Sequence, residues 1–283
     1  MPTNQISART RGLGIELREL RANARLNTRE AAKRVGIMSP ATLNRIELGT
    51  KAPSPEEVSA LLVVYNVGGV ERSRLLDLAK ETTVSGWWCS THHGHSKHVN
   101  ALINFESTAK RITNFQQSFI PGLLQVPDYT RAMMTCFDVP EDECERRVAQ
   151  RVSRQVFLSR PEGPSYLAII DEAALRRIVG GFDVMVQQVR HVAVLARRQN
   201  ITIQVIPFSR GGHQGMLGSF AHLEFTNAPP IVFIEHRQPS VFLDQHKDTT
   251  LFQHMIDALR EAALTPGDSM DFLTAVATEL ERR

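Results

Sequence analysis

The sequence predicts an α+β protein, in which an all-α domain of five short helices precedes a mixed α+β domain with a partly antiparallel sheet. Two patterns indicate this division. Apolar residues recur at helical spacing through the first 80 residues, whereas runs rich in Ile, Val and Phe, which favour strands, begin at Ser165. A chain of 283 residues, 42% of them apolar, is long enough to form two unequal globular domains.

Charge is distributed unevenly along the chain. The first 55 residues carry ten Lys or Arg against four Asp or Glu, whereas the whole chain has a net charge of only +3, so the remainder is mildly acidic. A basic, helix-rich segment ahead of a larger acidic body is typical of a nucleic-acid-binding head on a partner-binding or sensor domain.

Other features of the composition bear on the compartment. The first residues contain no apolar stretch of the signal-peptide type, and no run approaches the length of a membrane span. Three cysteines, Cys89, Cys136 and Cys144, are too few to suggest a disulfide framework, so we expect thiols. These features predict a cytoplasmic protein with no membrane partner.

Three short helices are predicted in the first 50 residues. Asn27 and Ser39 can cap the second and third helices, and Gly36 and Gly49 can end them. Pro40 occupies the first position of the third helix, where its missing N–H does no harm. An apolar stripe at spacings of four, three and four marks the first helix and comprises Leu13, Leu17, Leu20 and Ala24.

Two more helices are predicted before residue 80. Ser54 can cap the fourth, whose inner face includes Val58 and Leu61, and Leu75 and Leu76 belong to the fifth. Five such helices, with the second and third joined by a glycine turn, form the helix-turn-helix arrangement that sets one helix into the major groove of DNA.

Residues 13–65 resemble the lambda-repressor-like, Cro-type (XRE-family) DNA-binding domain, most clearly in LRELRANARLNTREAAKRVG and ATLNRIELGTKAPS. The Leu-x-x-Leu-Arg first helix, the Ala-Ala pair, the turn glycine, the Arg-Ile-Glu triplet and the Gly-x-Lys-x-Pro exit occur in the family's order. Ile37 and Met38 make the turn longer than the family pattern.

This resemblance and side-chain chemistry together indicate the DNA contacts. The first half of the third helix faces base edges, where Arg45 can bond both acceptors of a guanine and Ala41 or Thr42 can contact a thymine methyl. The resemblance also implies a structural ion pair between Arg21 and Glu47. The predicted DNA-binding residues are Thr28, Arg29, Ser39, Pro40, Ala41, Thr42, Asn44, Arg45 and Lys51, of which the resemblance assigns Thr28, Arg29 and Lys51 to phosphates. A bundle that binds another protein through the same faces is the alternative.

Helices and strands are both predicted beyond Phe105. FESTAKRITNFQQSFIPGLLQVPDYTRAMM predicts a helix, a turn at Pro121 and Gly122, and a second helix opening at Pro127; PEDECERRVAQRVSRQVFLSR predicts a long helix. Strands are predicted at SYLAII, ITIQVIPF, SFAHLEF and IVFIEHR. We expect the first two to be parallel, because a helical crossover separates them, and the last three to form an antiparallel meander. Two helices close the chain.

The larger part also resembles a known family. The motifs GWW, IPGLLQVPDYTRAM, RVSRQ, IIDEAALRRIVGG and IQVIPFSRGGHQGMLGSF, in this order, are similar to the C-terminal domain of unknown function in actinobacterial regulators that include the WhiJ-type developmental proteins. The resemblance implies a domain that senses a ligand or a small partner protein encoded nearby. The predicted domains are 1–82 for the helix-turn-helix domain, 83–104 for a linker and 105–283 for the sensor domain.

Catalysis is not expected in this domain, and no cofactor is predicted. Asp171 and Glu172 are adjacent and should point apart, His213 is a lone imidazole in a glycine loop, and no nucleophile motif or phosphate loop is present. Three polar residues could hold an anionic ligand or bond to neighbouring carbonyls and acids: Arg151, Arg154 and Gln155.

The stretch from Ser85 to Asn100, SGWWCSTHHGHSKHVN, could be a metal site or a joint. Cys89 and the four histidines are ligand types that zinc prefers, but they lack the paired spacing of structural zinc sites. The resemblance includes the GWW step and implies that Trp87 and Trp88 anchor the linker between the domains. We therefore predict an interdomain anchor and no metal.

These observations predict a sequence-specific, DNA-binding transcription regulator, cytoplasmic and nucleoid-associated, that binds double-stranded DNA as a homodimer on a palindromic operator. The alternative is a protein-binding adaptor, such as the antitoxin-like half of a two-protein pair, with secondary DNA binding.

Overall fold

The structure is a computed structural model that describes residues 7–80, 87–89, 95–235 and 240–283, without side chains for 87–89 and 95–99. The described helices are α1 (Ala8–Asn23), α2 (Thr28–Val35), α3 (Pro40–Glu47), α4 (Pro55–Val64), α5 (Gly69–Lys80), α6 (His95–Thr108), α7 (Pro127–Cys136), α8 (Glu141–Gln155), α9 (Glu172–Arg176), α10 (Phe182–Leu195), α11 (His246–Ala262) and α12 (Pro266–Glu281). The described strands are β1 (Trp87–Cys89), β2 (Arg111–Gln116), β3 (Ser165–Asp171), β4 (Ile201–Ile206), β5 (Phe220–Glu224), β6 (Ile231–Ile234) and β7 (Ser240–Leu243). The predicted α+β class is confirmed.

The chain divides into two compact units. Residues 1–104 and 227–248 form the first unit, and residues 105–226 and 249–283 form the second. Residues 227–248, which the sequence analysis assigned to the C-terminal domain, therefore group with the N-terminal helices. The predicted linker of residues 83–104 stays a prediction.

Local signals define the helices of the first unit. Ser7, Asn27, Ser39 and Ser54 each precede a helix and accept a backbone N–H from its first turn. Gly36 ends α2 in the left-handed conformation, at φ 75°. The five predicted helices are therefore present, and the residues expected to cap the second, third and fourth helices do so.

One apolar core holds these five helices together. Leu20 and Ala24 of the predicted stripe pack against its margin. The buried members of the core are Leu13, Leu17, Leu26, Ala31, Ala32, Leu43, Ile46, Val58, Leu61, Leu62, Tyr65, Leu75 and Ala79. Every one of the five helices contributes to this core, so none of them is a separate appendage.

The first unit also contains three short antiparallel strands in the order β1, β7, β6. Trp88 lies opposite Val241 in the β1 and β7 pair, and Phe233 lies opposite Phe242 in the β6 and β7 pair. Neither β1 nor β7 was predicted from the sequence, because strands of three and four residues are too short for an alternating pattern to show.

The second unit contains four neighbouring strands in the order β5, β2, β3, β4. Strands β2, β3 and β4 are parallel, and β5 is antiparallel to β2. The parallel pairing of the first two predicted strands is confirmed, and so is a partly antiparallel sheet. The predicted meander is wrong at its first step, because β4 pairs with β3 and β5 pairs with β2.

The strand β2 was missed. The helix predicted from Phe105 ends at Thr108, and Arg111–Gln116 forms a strand between β3 and β5. Its sequence, RITNFQ, has too few apolar residues to indicate a buried strand, and its backbone groups are satisfied by partners distant in sequence. Among the described residues no helix has the length and apolar character needed to cross a membrane.

A buried ion pair joins α6 to α8 in the second unit. Arg154 Nε and Nη2 donate to the two carboxylate oxygens of Glu106 at 2.8 and 2.7 Å, and both side chains are nearly inaccessible. Because both charges have left water, neither can lose its partner without a large penalty.

We predict that Arg154→Met lowers the free energy of unfolding by about 3 to 5 kcal/mol, since Glu106 would be left buried and uncompensated. Urea unfolding monitored by circular dichroism measures this. The matched control is Arg131→Met, which removes a solvent-exposed pair with Glu145 and should change stability little. Equal stability of the two variants would contradict the prediction.

A second buried polar group of this unit has no such partner. His222 of β5 is buried, and neither of its ring nitrogens has a hydrogen-bond partner in the part of the chain that the structure describes. Burial lowers the pKa of His222 below its usual value of 6.5, and Glu224, 3.9 Å away, acts weakly in the opposite direction.

The folded protein therefore binds a proton at His222 less readily than the unfolded chain does. His222 costs no stability above pH 6.5, and it lowers the free energy of unfolding as the pH drops below that value. We predict that His222→Leu reduces this loss between pH 7 and pH 5, measured by urea unfolding at each pH. The slope that remains includes His191, whose pKa burial also lowers. An unchanged slope in the variant would disprove the account of His222.

Candidate nucleic-acid interface

Two local features form the turn between α2 and α3, a glycine that ends α2 and a serine that caps α3. Gly36 reverses the chain after α2, and the side-chain oxygen of Ser39 accepts the backbone N–H of Thr42 at 3.1 Å. The hydroxyls of Ser39 and Thr42 lie 3.0 Å apart. Ser39 thus begins α3, and the longer turn that Ile37 and Met38 create ends in an ordinary capped helix.

Helix α3 is held against α1 by a close backbone approach. A Cβ on Gly14 would lie 2.2 Å from the backbone oxygen of Ile46, a distance at which no side chain fits. Leu43 and Ile46 are fully buried on the same side of α3. The inner face of α3 therefore has one position relative to α1.

An ion pair between Arg21 and Glu47 fixes the end of this contact. Arg21 Nε and Nη2 donate to the two oxygens of Glu47 at 2.6 and 2.8 Å, and Nη1 donates to the Leu26 carbonyl at 2.8 Å. The hydrogen bond to Glu47 raises the pKa of Arg21 above its usual value. The family resemblance implied this ion pair. Arg21 therefore has a structural role.

The outward face of α3 carries the residues predicted to meet base edges. Ala41, Asn44 and Arg45 are exposed, at the spacings of three and four that place them on one helix face. Pro40 and Ser39 are exposed at the start of the helix, and Thr42, which bonds Ser39, is half-buried. The structure thus brings the predicted base-contacting residues together.

The residues predicted to hold phosphates differ in their surroundings. Arg29 is exposed and Thr28 half-buried in the first turn of α2. Lys51 lies in the segment after α3, and its Nζ donates to both carboxylate oxygens of Glu57 at 2.6 and 2.7 Å. Glu57 also accepts the N–H of Ser54 in a capping box. A phosphate must therefore compete with Glu57 for Lys51.

Two features of this surface were not predicted from the sequence. Ile37 is 62% exposed in the turn before α3, although it was noted only as a lengthening of that turn. The bond between Glu57 and Lys51 was not predicted from the sequence. The position of Glu57, third in a helix capped by Ser54, indicates a bond to the Ser54 N–H but gives no signal for a bond to Lys51.

The linker and metal predictions fall outside the described side chains. Trp87 and Trp88 are placed only as backbone in β1, and the side chains from Cys89 to His98 are not described. The predicted interdomain anchor and the absence of a metal stay predictions.

Asp171, Glu172 and His213 belong to one network of hydrogen bonds in the second unit. His213, predicted to be a lone imidazole, instead lies 3.0 Å from Asp171 through Nε2, and its Nδ1 accepts the N–H of Gly215 at 3.2 Å. Asp171 caps α9, and Glu172 accepts the N–H of Phe208 at 2.7 Å. These contacts tie the loop after β4 to the end of β3.

The polar residues of α8 bond to neighbours, which was one of the two alternatives. Arg151 donates to the side-chain oxygen of Gln125 at 2.7 Å, and Gln155 donates to the Gln125 carbonyl at 2.6 Å. Arg154 bonds Glu106, as described above. Gln125 is itself buried, so these groups hold the turn between β2 and α7.

We predict that Gly14→Ala destabilises the first unit by about 1 to 3 kcal/mol, because the new methyl group would push α1 away from the Ile46 carbonyl. Thermal unfolding measures the change. The matched control is Gly68→Ala in the same unit, where a Cβ meets nothing within 4 Å. A Gly14→Ala variant as stable as the control would show that α1 and α3 can separate without cost.

Comparison with known families agrees with this geometry. A family profile described as a helix-turn-helix domain matches residues 13–75, which contain most of α1, all of α2 to α4 and the first part of α5. A second profile, described as Domain of unknown function (DUF5753), matches residues 99–275, more than half of the chain. No curated protein and no solved structure matches the chain. The chain therefore belongs to the DUF5753 family, and it carries a helix-turn-helix domain ahead of that domain.

Proposed function

We propose that this protein is a sequence-specific transcription regulator of the XRE type, in which α3 reads the bases of a double-stranded DNA operator. The observation that carries the proposal is that α3 has one packed face and one exposed face. Its inner face is locked to α1 by Gly14, and its outer face presents Ala41, Asn44 and Arg45 to solvent. A recognition helix needs a fixed position together with an exposed polar face.

The chemistry of that face suits the major groove. The Arg45 guanidinium can donate to both acceptors of a guanine, the Asn44 amide can both donate to and accept from an adenine, and the Ala41 methyl can contact a thymine methyl. Exposed Ile37, at the start of the same surface, adds a second apolar group.

Electrostatics supports a backbone contact around these residues. The first 55 residues have a surplus of six positive charges, and Arg29 is exposed in the first turn of α2. Phosphate contacts from Thr28, Arg29 and Lys51 would fix the register, with Lys51 contributing less because Glu57 neutralises it. A helix-turn-helix domain reads a short half-site, so we propose a homodimer on a palindromic operator.

For the DUF5753 domain we propose a binding role without catalysis or cofactor. Both ring nitrogens of His213 are hydrogen-bonded, Asp171 caps a helix, and Glu172 anchors a loop. All three side chains therefore have structural partners. The loop they hold exposes Phe208, Met216 and Leu217, the last at 93%. An ordered loop with exposed apolar side chains favours a protein partner over a small ligand. The family resemblance suggests that such a partner is encoded nearby. We place the regulator in the cytoplasm, on the nucleoid.

The same loop supports the second candidate, a protein-binding adaptor with secondary DNA binding. The two candidates differ in whether the protein discriminates between DNA sequences. Selection of bound sequences from a random pool, followed by titration of the selected duplex, separates them. A protein that enriches no sequence at physiological salt would favour the adaptor.

We predict that Arg45→Ala weakens binding to the selected operator by about 1 to 3 kcal/mol and changes binding to random DNA little, because only base contacts distinguish the two. Fluorescence anisotropy with both duplexes measures this.

The control for that measurement is Lys51→Ala. It should weaken binding to operator and random DNA alike, since a phosphate contact carries no sequence information. Equal losses from Arg45→Ala on both duplexes would remove Arg45 from the base contacts.

A further inference from the structure

A carboxylate from the β6 and β7 hairpin lies at the N-terminus of α1. Asp244 follows β7 directly and accepts the backbone N–H of Ala8, the first residue of α1. The first turn of α1 has no acidic residue of its own. Asp244 therefore supplies the negative charge that a helix N-terminus favours, and it comes from more than 230 residues away in the chain.

Arg11, one turn further along α1, touches the end of the recognition helix. A Cβ on Gly49 would lie 2.8 Å from both Cα and Cγ of Arg11, so the stem of Arg11 packs directly on the Gly49 backbone. Gly49 has φ 65° and donates its N–H to the Ile46 carbonyl, which places it at the turn that ends α3. The position of Arg11 thus bears on where α3 ends.

Arg11 is also under the influence of Asp244. Burial lowers the pKa of Arg11 to about 10, and the charge of Asp244 acts in the opposite direction by favouring the guanidinium cation. A half-buried cation of this kind depends on a nearby carboxylate more than an exposed one does. Gly14 lies three residues further on and makes the close contact with α3. Asp244, α1 and α3 therefore form one continuous set of contacts within the first unit.

We infer that Arg11 is a positioning residue for the recognition helix and that Asp244 of the hairpin controls it. Residues 227–248 lie within the segment that matches DUF5753, yet they belong to the same compact unit as α1 and α3. A partner that displaces the hairpin would move Asp244 and hence the α1 and α3 contact. The inference rests on the proposed function and names the route by which the DUF5753 domain regulates DNA binding.

The test is a double-mutant cycle in the full chain, with the variants Arg11→Met, Asp244→Asn and the two together. Methionine keeps the stem that packs on Gly49 and removes the charge; asparagine keeps an oxygen for the Ala8 N–H. The quantity measured is the ratio of the Kd for random DNA to the Kd for the selected operator. We expect each single variant to lower this ratio by about fivefold or more, and the double variant to lower it no further than the larger single effect.

Two controls separate positioning from stability. Lys80→Met and Asp77→Asn remove an exposed ion pair of α5 in the same unit, whose side chains are 60% and 65% exposed, and should leave the ratio unchanged. Arg11→Lys keeps both the charge and most of the stem and should restore most of the ratio. Hydrogen exchange at the α3 amides should be faster in Asp244→Asn than in Asp77→Asn.

The outcomes are distinguishable. A parent protein that does not discriminate the operator from random DNA overturns the proposed function and this inference together. A parent that discriminates, with losses from Arg11→Met and Asp244→Asn that add in the double variant, overturns the inference alone. So does a lower melting temperature with an unchanged ratio, since that result would make Arg11 structural only.

Discussion

The close approach of α1 and α3 is the constraint on which the DNA-binding head depends. Gly14 allows the α1 backbone to reach the Ile46 carbonyl, and Arg21, two turns further along α1, bonds the neighbouring residue Glu47. Both contacts lie in the last turn of α3, so rotation of α3 about its own axis would break them. The exposed face at Ala41, Asn44 and Arg45 follows from this constraint and from the burial of Leu43 on the opposite side.

Buried polar groups play the corresponding part in the second unit. Gln125 accepts hydrogen bonds from the side chains of Arg151 and Gln155 of α8. Arg154 bonds Glu106, and His213 bonds Asp171. Each of these groups is satisfied by a partner distant in sequence, so the network specifies one arrangement of the helices and loops around the sheet. The result is an ordered scaffold whose exposed apolar residues are confined to particular loops and helix faces.

In both units, part of the positive charge is bound by neighbouring side chains. In the second unit, arginines at 151 and 154 are bound by neighbouring side chains. In the first unit, Arg21 and Lys51 are bound in the same way, whereas Arg29 and Arg45 are exposed. A count of basic residues therefore overstates the charge available to DNA, and the geometry decides which cations remain on the surface.

The sequence by itself determined the helices of the head, the parallel pairing of β3 with β4 and the identity of the DNA-binding residues as candidates. Helix caps, terminal glycines and helical spacing act over a few residues. The roles of Ser39, Gly36 and the apolar stripe that begins at Leu13 can therefore be predicted from the sequence alone. The tertiary structure alone decided that β2 lies between β3 and β5, that Glu57 holds Lys51 and that Asp244 meets α1. Those contacts join residues whose local patterns are unremarkable, and they exist only because chain folding brings distant backbone and charged groups to one place, where each must find a partner as it leaves water.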